Sequence, residues 1–237
     1  MHVRRIATLT LLACTALLAG TAHAQWSGSA ALTSSYRLRG IDLSEGGPSV
    51  QGGVAYDAAD GWYAGGFAAR THVDGATGAQ LLVYGGRAQR LADGFAWDAG
   101  ISASHATRGG YGSYQELYAG LSRSGAAGSA GLRVAWSPRY RPGDARIVYL
   151  QLEASRALGR DLDAFLRGGI LTTLSGTPPP ERSDWRAGIS ARFGSARVQL
   201  AYEHTQRRGF DYGGSHDYAH ASRGTPHAFI ASIGTAF

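Results

Sequence analysis

Residues 185–193 read WRAGISARF. Trp185, Ala187, Ile189, Ala191 and Phe193 alternate there with Arg186, Gly188, Ser190 and Arg192. In an extended chain successive side chains point to opposite sides, so one side of this segment is apolar and the other carries the charge. An amphipathic helix would instead repeat its apolar positions roughly every three to four residues. The same alternation sets Phe95, Trp97, Ala99, Ile101 and Ala103 against Asp98, Gly100, Ser102 and Ser104. It also sets Ala130, Leu132, Val134 and Trp136 against Gly131, Arg133, Ala135 and Ser137.

Outward from these segments, the chain divides into twelve stretches of about ten residues bounded by Gly, Asp, Pro or Ser, the pattern of a transmembrane β-barrel. The predicted strands are 26–38, 48–57, 62–72, 79–89, 95–105, 113–123, 129–139, 146–156, 162–172, 184–194, 196–205 and 226–237. After even-numbered strands the gaps are tight: Asp60-Gly61, Ala92-Asp93-Gly94, Ser124 to Gly128, Leu158 to Asp161, and Gly194-Ser195. After odd-numbered strands they are mostly longer: 39–47, 73–78, 106–112, 140–145, 173–183 and 206–225. Short periplasmic turns alternating with longer extracellular loops predict an all-β, antiparallel, twelve-stranded transmembrane barrel with both termini in the periplasm.

A soluble β-sandwich or lipocalin-like barrel would also alternate, with its apolar face turned inward. Lipid is favoured as the apolar partner by aromatics near strand ends (Trp26, Tyr63, Trp136, Trp185) and by the terminal Phe237, because aromatic girdles mark the two membrane interfaces. Phe229, Ile233 and Phe237 share one face of the last strand, which resembles the segment read by the barrel-assembly machinery.

The N-terminus reads differently. Arg4 and Arg5 precede an apolar run from Ile6 to Gly20, followed by Thr21-Ala22-His23-Ala24, the layout of a secretory signal cleaved after Ala24. The run is shorter than the roughly 20 residues a spanning helix needs. Residues 1–24 are therefore expected to leave, and 25–237 to form one barrel domain in a bacterial outer membrane. The only cysteine, Cys14, lies inside the apolar run, so the barrel has no disulfide framework. A lipoprotein acylated at Cys14 is the weaker reading, because the run continues past it.

Loss of Arg4 and Arg5 lowers the formal charge from +6 to +4. All of the basic residues counted in that charge are arginine. An exported chain with so mild a surplus has no expected nucleic-acid partner. Its expected partners are outer-membrane lipid and lipopolysaccharide, the assembly machinery and small solutes.

With apolar residues facing lipid, Arg37, Arg70, Arg133, Arg167, Arg186, Arg192 and Arg197 are expected in the lumen with Asp57, Asp98, Glu116, Glu153 and Glu203. An arginine facing the bilayer midplane costs about 2–4 kcal/mol. One reading makes these charges the lining of an aqueous path favouring anions. The other pairs them across neighbouring strands in a filled interior. Inward glycines at 53, 66, 86, 100 and 188 leave room and favour a path.

No metal or cofactor is expected. Asp211, His216, Asp217 and His220 fall in loop 206–225, where the surrounding Gly and Tyr disfavour the helix that would align the two histidines. Catalysis would need a nucleophile beside a base, and the nearest candidates are Ser104 with His105 and Ser215 with His216. Adjacent strand residues point apart, so Ser104 and His105 form no dyad. The chain is not expected to be an enzyme, and a membrane-embedded hydrolase ranks third.

Residues 32–40, LTSSYRLRG, then Gln51-Gly52-Gly53 with Tyr56, Gly61-Trp62-Tyr63-Ala64-Gly65, and Tyr84-Gly85-Gly86 resemble the opening of the TorF-family porins, also called Gcw_chp proteins. An acidic residue is usual in that family's fourth segment, where this chain has Gln80 and Leu82. The resemblance implies an outer-membrane barrel with passive transport and supplies no catalytic residues. The expected function is a channel for small, anionic solutes, and the alternative is a non-conducting structural or surface-interaction barrel.

Overall fold

The computed structural model describes residues 25–108, 113–140, 144–176, 181–208 and 225–237; the expected signal segment 1–24 and most of loop 206–225 lie outside them. In chain order the strands are β1 (Gln25–Thr33), β2 (Arg37–Leu38), β3 (Ile41–Asp42), β4 (Ser49–Asp57), β5 (Trp62–Val73), β6 (Ala76–Arg90), β7 (Phe95–Ala106), β8 (Tyr114–Gly125), β9 (Gly128–Tyr140), β10 (Ala145–Ala157), β11 (Leu162–Ser175), β12 (Glu181–Phe193), β13 (Ala196–Arg208) and β14 (His227–Ala236). Twelve of them form a closed antiparallel barrel in which β1 pairs with both β4 and β14, while β2 and β3 pair only with each other.

Closure leaves the barrel sheet without an edge, the condition a strand-built membrane span would have to meet because lipid offers no partner for backbone polar groups. The seam is completed beyond β14, where Phe237 N–H donates to Gly28 O at 3.0 Å and Gly28 N–H donates to Phe237 O at 2.8 Å. Leu32, Val54, Val83, Ile101, Leu117, Leu152, Ile189, Leu200 and Ile233 remain exposed on the outer wall. They form the apolar belt that the alternation anticipated, and Phe229 and Phe237, each 83% exposed, lie on it.

The strand limits differ most at β1. The expected strand 26–38 ends at Thr33, and the following residues enter the barrel instead of forming an outer loop. Arg39 and Gly40, at φ 50° and 75°, make a tight turn between Leu38 and Ile41, which pair. Gly40 is required there twice over, by its positive φ and because a Cβ would sit 2.6 Å from the Thr205 side chain on β13. The return is held locally by Asp42, whose carboxylate accepts the backbone N–H groups of Ser44 and Gly46, both at 3.0 Å.

The inserted hairpin makes an apolar core inside the end of the barrel opposite the termini. Tyr36, Leu38, Ile41 and Leu43 pack there with Ala69, Val73, Tyr140, Ile147, Tyr149 and Leu171, all buried. A second difference lies at 73–78, expected to be a longer loop. Val73 pairs with Ala76, and Asp74-Gly75 closes a two-residue hairpin with φ 54° and 71°.

Candidate functional site in the barrel interior

The interior is built by every second residue of each strand, and the register places charges beside one another. Glu203 on β13 faces Arg186 on β12, Arg186 faces Arg167 on β11, and Arg167 faces Glu153 on β10. Arg37 reaches this row from the hairpin. Glu203, with no exposed surface, accepts Arg37 Nε at 2.8 Å and Arg186 Nε at 2.6 Å, and Arg167 Nη2 lies 3.8 Å away. One carboxylate thus sits among three guanidinium groups. Glu153 accepts Gln151 Nε2 at 2.6 Å.

On the opposite wall Arg39 donates twice to Glu116 of β8, at 2.5 and 2.8 Å, with its guanidinium 4.4 Å from the Tyr149 ring centre and 5.0 Å from that of Tyr114. Planar guanidinium suits both the two-point pairing and the stacking. The hairpin is therefore tied by arginine to both sides of the barrel.

Toward the end that carries the termini, Arg133 donates to Asp98 at 2.7 Å, and Tyr63 Oη lies 2.8 Å from Tyr118 Oη. Arg133 and Asp98 come from β9 and β7 and meet across Gly120 of β8, whose missing side chain leaves the passage between them. Arg197 donates to Ser190 at 2.8 Å and to Asp163 at 3.3 Å. A cavity of about 60 Å³ at this end is lined by Gln51, Phe67, Arg192, Arg197, Gln199 and Ser232, among others.

Of the expected lumen residues, Arg37, Asp98, Glu116, Arg133, Glu153, Arg167, Arg186, Arg192, Arg197 and Glu203 face the interior. Arg37 does so from the hairpin and not from a barrel strand. Arg70 does not. It is exposed on the outer wall near the Asp74-Gly75 turn and donates to Pro48 O at 3.0 Å. Position explains the tolerance, because an outward arginine costs only about 0–1 kcal/mol near a membrane interface. The misreading has a physical cause. Phe67 turns inward on β5 to lie 6.4 Å from Tyr36 of the hairpin, so apolar residues occupy both faces of that strand.

Sequence reasoning missed Arg39, Asp42, Asp163, Arg182 and Asp184. Arg39, Asp42 and Arg182 fall in expected loops, whereas Asp163 shares the period of Arg167, and Asp184 that of Arg186, and both are legible by counting back along their strands. Among the described side chains, with these included, Asp57 kept on the inward period of β4 and Arg70 removed, interior carboxylates are as many as interior arginines, and the expected arginine surplus disappears. The inward glycines do not leave free space either. Tyr63 lies over Gly86, Tyr118 over Gly100 and Phe165 over Gly188, while Gly66 faces outward. Ser104 is buried and accepts from Gln80 Nε2 at 2.7 Å, while His105 is exposed on the other face. Ser215, His216 and the other residues singled out between 211 and 220 lie outside the described residues.

The sequence profile described as "bacterial protein of unknown function (Gcw_chp)" matches residues 19–234. The chain belongs to the Gcw_chp family. This Gcw_chp chain superposes on the solved structure titled "KdgM porin" with a TM-score of 0.58 and 9% identity, covering 89% of this chain and 99% of that one. It superposes on the NanC porin with a TM-score of 0.61 and 12% identity, covering 90% and 99%. At these identities the shared property is the barrel fold. No curated protein matches the Gcw_chp chain.

Proposed function

We propose that this Gcw_chp protein is an outer-membrane channel for small polar solutes, with residues 34–48 forming an internal constriction. The observation that carries this reading is a set of buried guanidinium donors without a hydrogen-bond partner among the described residues: Arg167 Nε, Arg182 Nε and Arg192 Nε. An unsatisfied buried donor costs about 1–3 kcal/mol, so a dry, purely structural plug would be a poor use of these residues. A turn of these side chains toward the lumen would let water or anionic groups of a solute satisfy them. Any anion preference then comes from these local donors and not from net interior charge, which is balanced.

In this reading the chain is exported with loss of residues 1–24, assembled by the machinery that reads Phe229, Ile233 and Phe237, and set among lipid and lipopolysaccharide with its termini in the periplasm. It performs passage, not catalysis. The non-conducting alternative draws support from the apolar packing around the hairpin, where Leu43, Ile147 and Leu171 are at most 1% exposed. Single-channel recording of the purified barrel in planar bilayers separates the two. The channel reading expects discrete conductance steps, and their absence both in the wild type and in a variant with a released hairpin favours the structural barrel.

A further inference from the structure

Arg192 and Arg197 face each other directly in the β12–β13 register, one residue pair before the Phe193–Ala196 pair that precedes the Gly194-Ser195 turn. Like charges placed directly opposite destabilise a sheet, and only one of this pair is compensated by a carboxylate. Arg197 is held by Asp163 and Ser190. The Arg192 side chain makes no hydrogen bond or ion pair with any described residue, and its Nε is buried. Both arginines line the cavity of about 60 Å³, together with Gln51, Gln199 and Ser232. A single water needs roughly 10–15 Å³, so the space has room for more than one water or for a small group of similar size.

We infer that this cavity is a binding subsite for an oxyanion, a phosphate or carboxylate group on a passing solute, with Arg192 as its two-point ligand and Arg197 as the second cation. A planar guanidinium presents paired donors that match the oxygens of either group. Gln199, two residues from Arg197 on β13, and Gln51 of β4 are neutral polar residues of the same lining, which also includes Phe67. Bound anion relieves the Arg192–Arg197 repulsion, which makes occupancy favourable even where the overall interior is neutral. The inference rests on the solute-channel reading for its physiological meaning, but anion binding itself does not require conduction.

The test is calorimetric titration of inorganic phosphate into the full-length mature barrel in detergent, alongside Arg192→Gln and Arg123→Gln. Arg123 is exposed on β8 and does not line this cavity. Saturable binding is expected in the wild type and in Arg123→Gln, with affinity about tenfold weaker or lost in Arg192→Gln. Heat-modifiable migration establishes that each variant is folded. Should Arg192→Gln not assemble, Arg192→Lys keeps the charge and removes the fork; a severalfold loss is expected there, and unchanged affinity overturns the two-point site. Absence of saturable phosphate binding in the wild type, or equal binding by Arg192→Gln, also overturns it. A conducting barrel that does not bind phosphate would discard the subsite while leaving the channel reading intact.

Discussion

Arg39 of the inserted hairpin and Glu116 of β8 form a two-point ion pair, Nη1 to Oε1 at 2.5 Å and Nη2 to Oε2 at 2.8 Å, with side chains 9% and 3% exposed. The residues are far apart in sequence, and the pair spans from the axis of the barrel to its wall. The rings of Tyr114 and Tyr149 flank the guanidinium, so the contact is both charged and packed. It ties one side of the hairpin to the wall, as Arg37 with Glu203 ties the other.

Removing one partner of this pair leaves the other charge buried. Arg39→Ala is expected to destabilise the barrel by about 3–5 kcal/mol, read as a lower denaturant midpoint in micelles. It should also raise the conductance or open probability of the barrel in planar bilayers by releasing one side of the hairpin. The exchanged double variant Arg39→Glu with Glu116→Arg should recover part of the stability. Wild-type stability and unchanged electrical behaviour in Arg39→Ala would show that the pair anchors nothing.

Glu203 gives a prediction of opposite emphasis. It is the carboxylate shared by Arg37, Arg167 and Arg186, and Glu203→Gln leaves three guanidinium groups without that negative charge. Reversal potentials across a potassium chloride gradient should shift toward chloride, most strongly in dilute electrolyte because screening acts over about 10 Å at 0.1 M salt. Stability should fall at the same time, since the hairpin loses its hold on β13. An unchanged reversal potential in a conducting, folded variant would mean that solutes do not pass near Glu203.

At the seam, Phe237 lies over Gly28, where an added Cβ would come within 2.5 Å of the terminal ring. Gly28→Val should displace that ring and lower the yield of heat-modifiable protein in outer-membrane fractions, and deletion of Phe237 should do the same by removing two seam hydrogen bonds as well. Export should continue in both. Normal assembly of the Phe237 deletion would rule out the terminal aromatic as an assembly signal.

Orientation is checked with single cysteines at Ser175 and Ser124, exposed positions at opposite ends of the barrel. With the termini in the periplasm, an impermeant thiol reagent applied to intact cells should label Ser175→Cys and spare Ser124→Cys. Labelling of the second alone would invert the barrel.

The sequence by itself determined the strands, their number and most of their faces. WRAGISARF at 185–193 shows why: alternation is a local property, imposed by the pleat on each strand regardless of its neighbours, and the cost of placing charge in lipid makes the outward side legible. Eleven of the twelve barrel strands follow the expected segments closely, from Ser49–Asp57 to His227–Ala236. What only the tertiary structure decided is the content of the interior. Residues 34–38 read as the end of the first strand and 39–47 as an ordinary loop, because nothing local distinguishes such a segment from one folded back to meet Glu116 and Glu203 more than seventy positions away. That insertion reverses the usual rule on β5, where Phe67 faces inward and Arg70 outward. The balance of interior charge has another source: Arg70 faces outward, and Asp163 and Asp184 join the interior. Strand faces follow from a period of two along the chain, whereas the closing of a lumen depends on contacts between segments that the sequence keeps far apart.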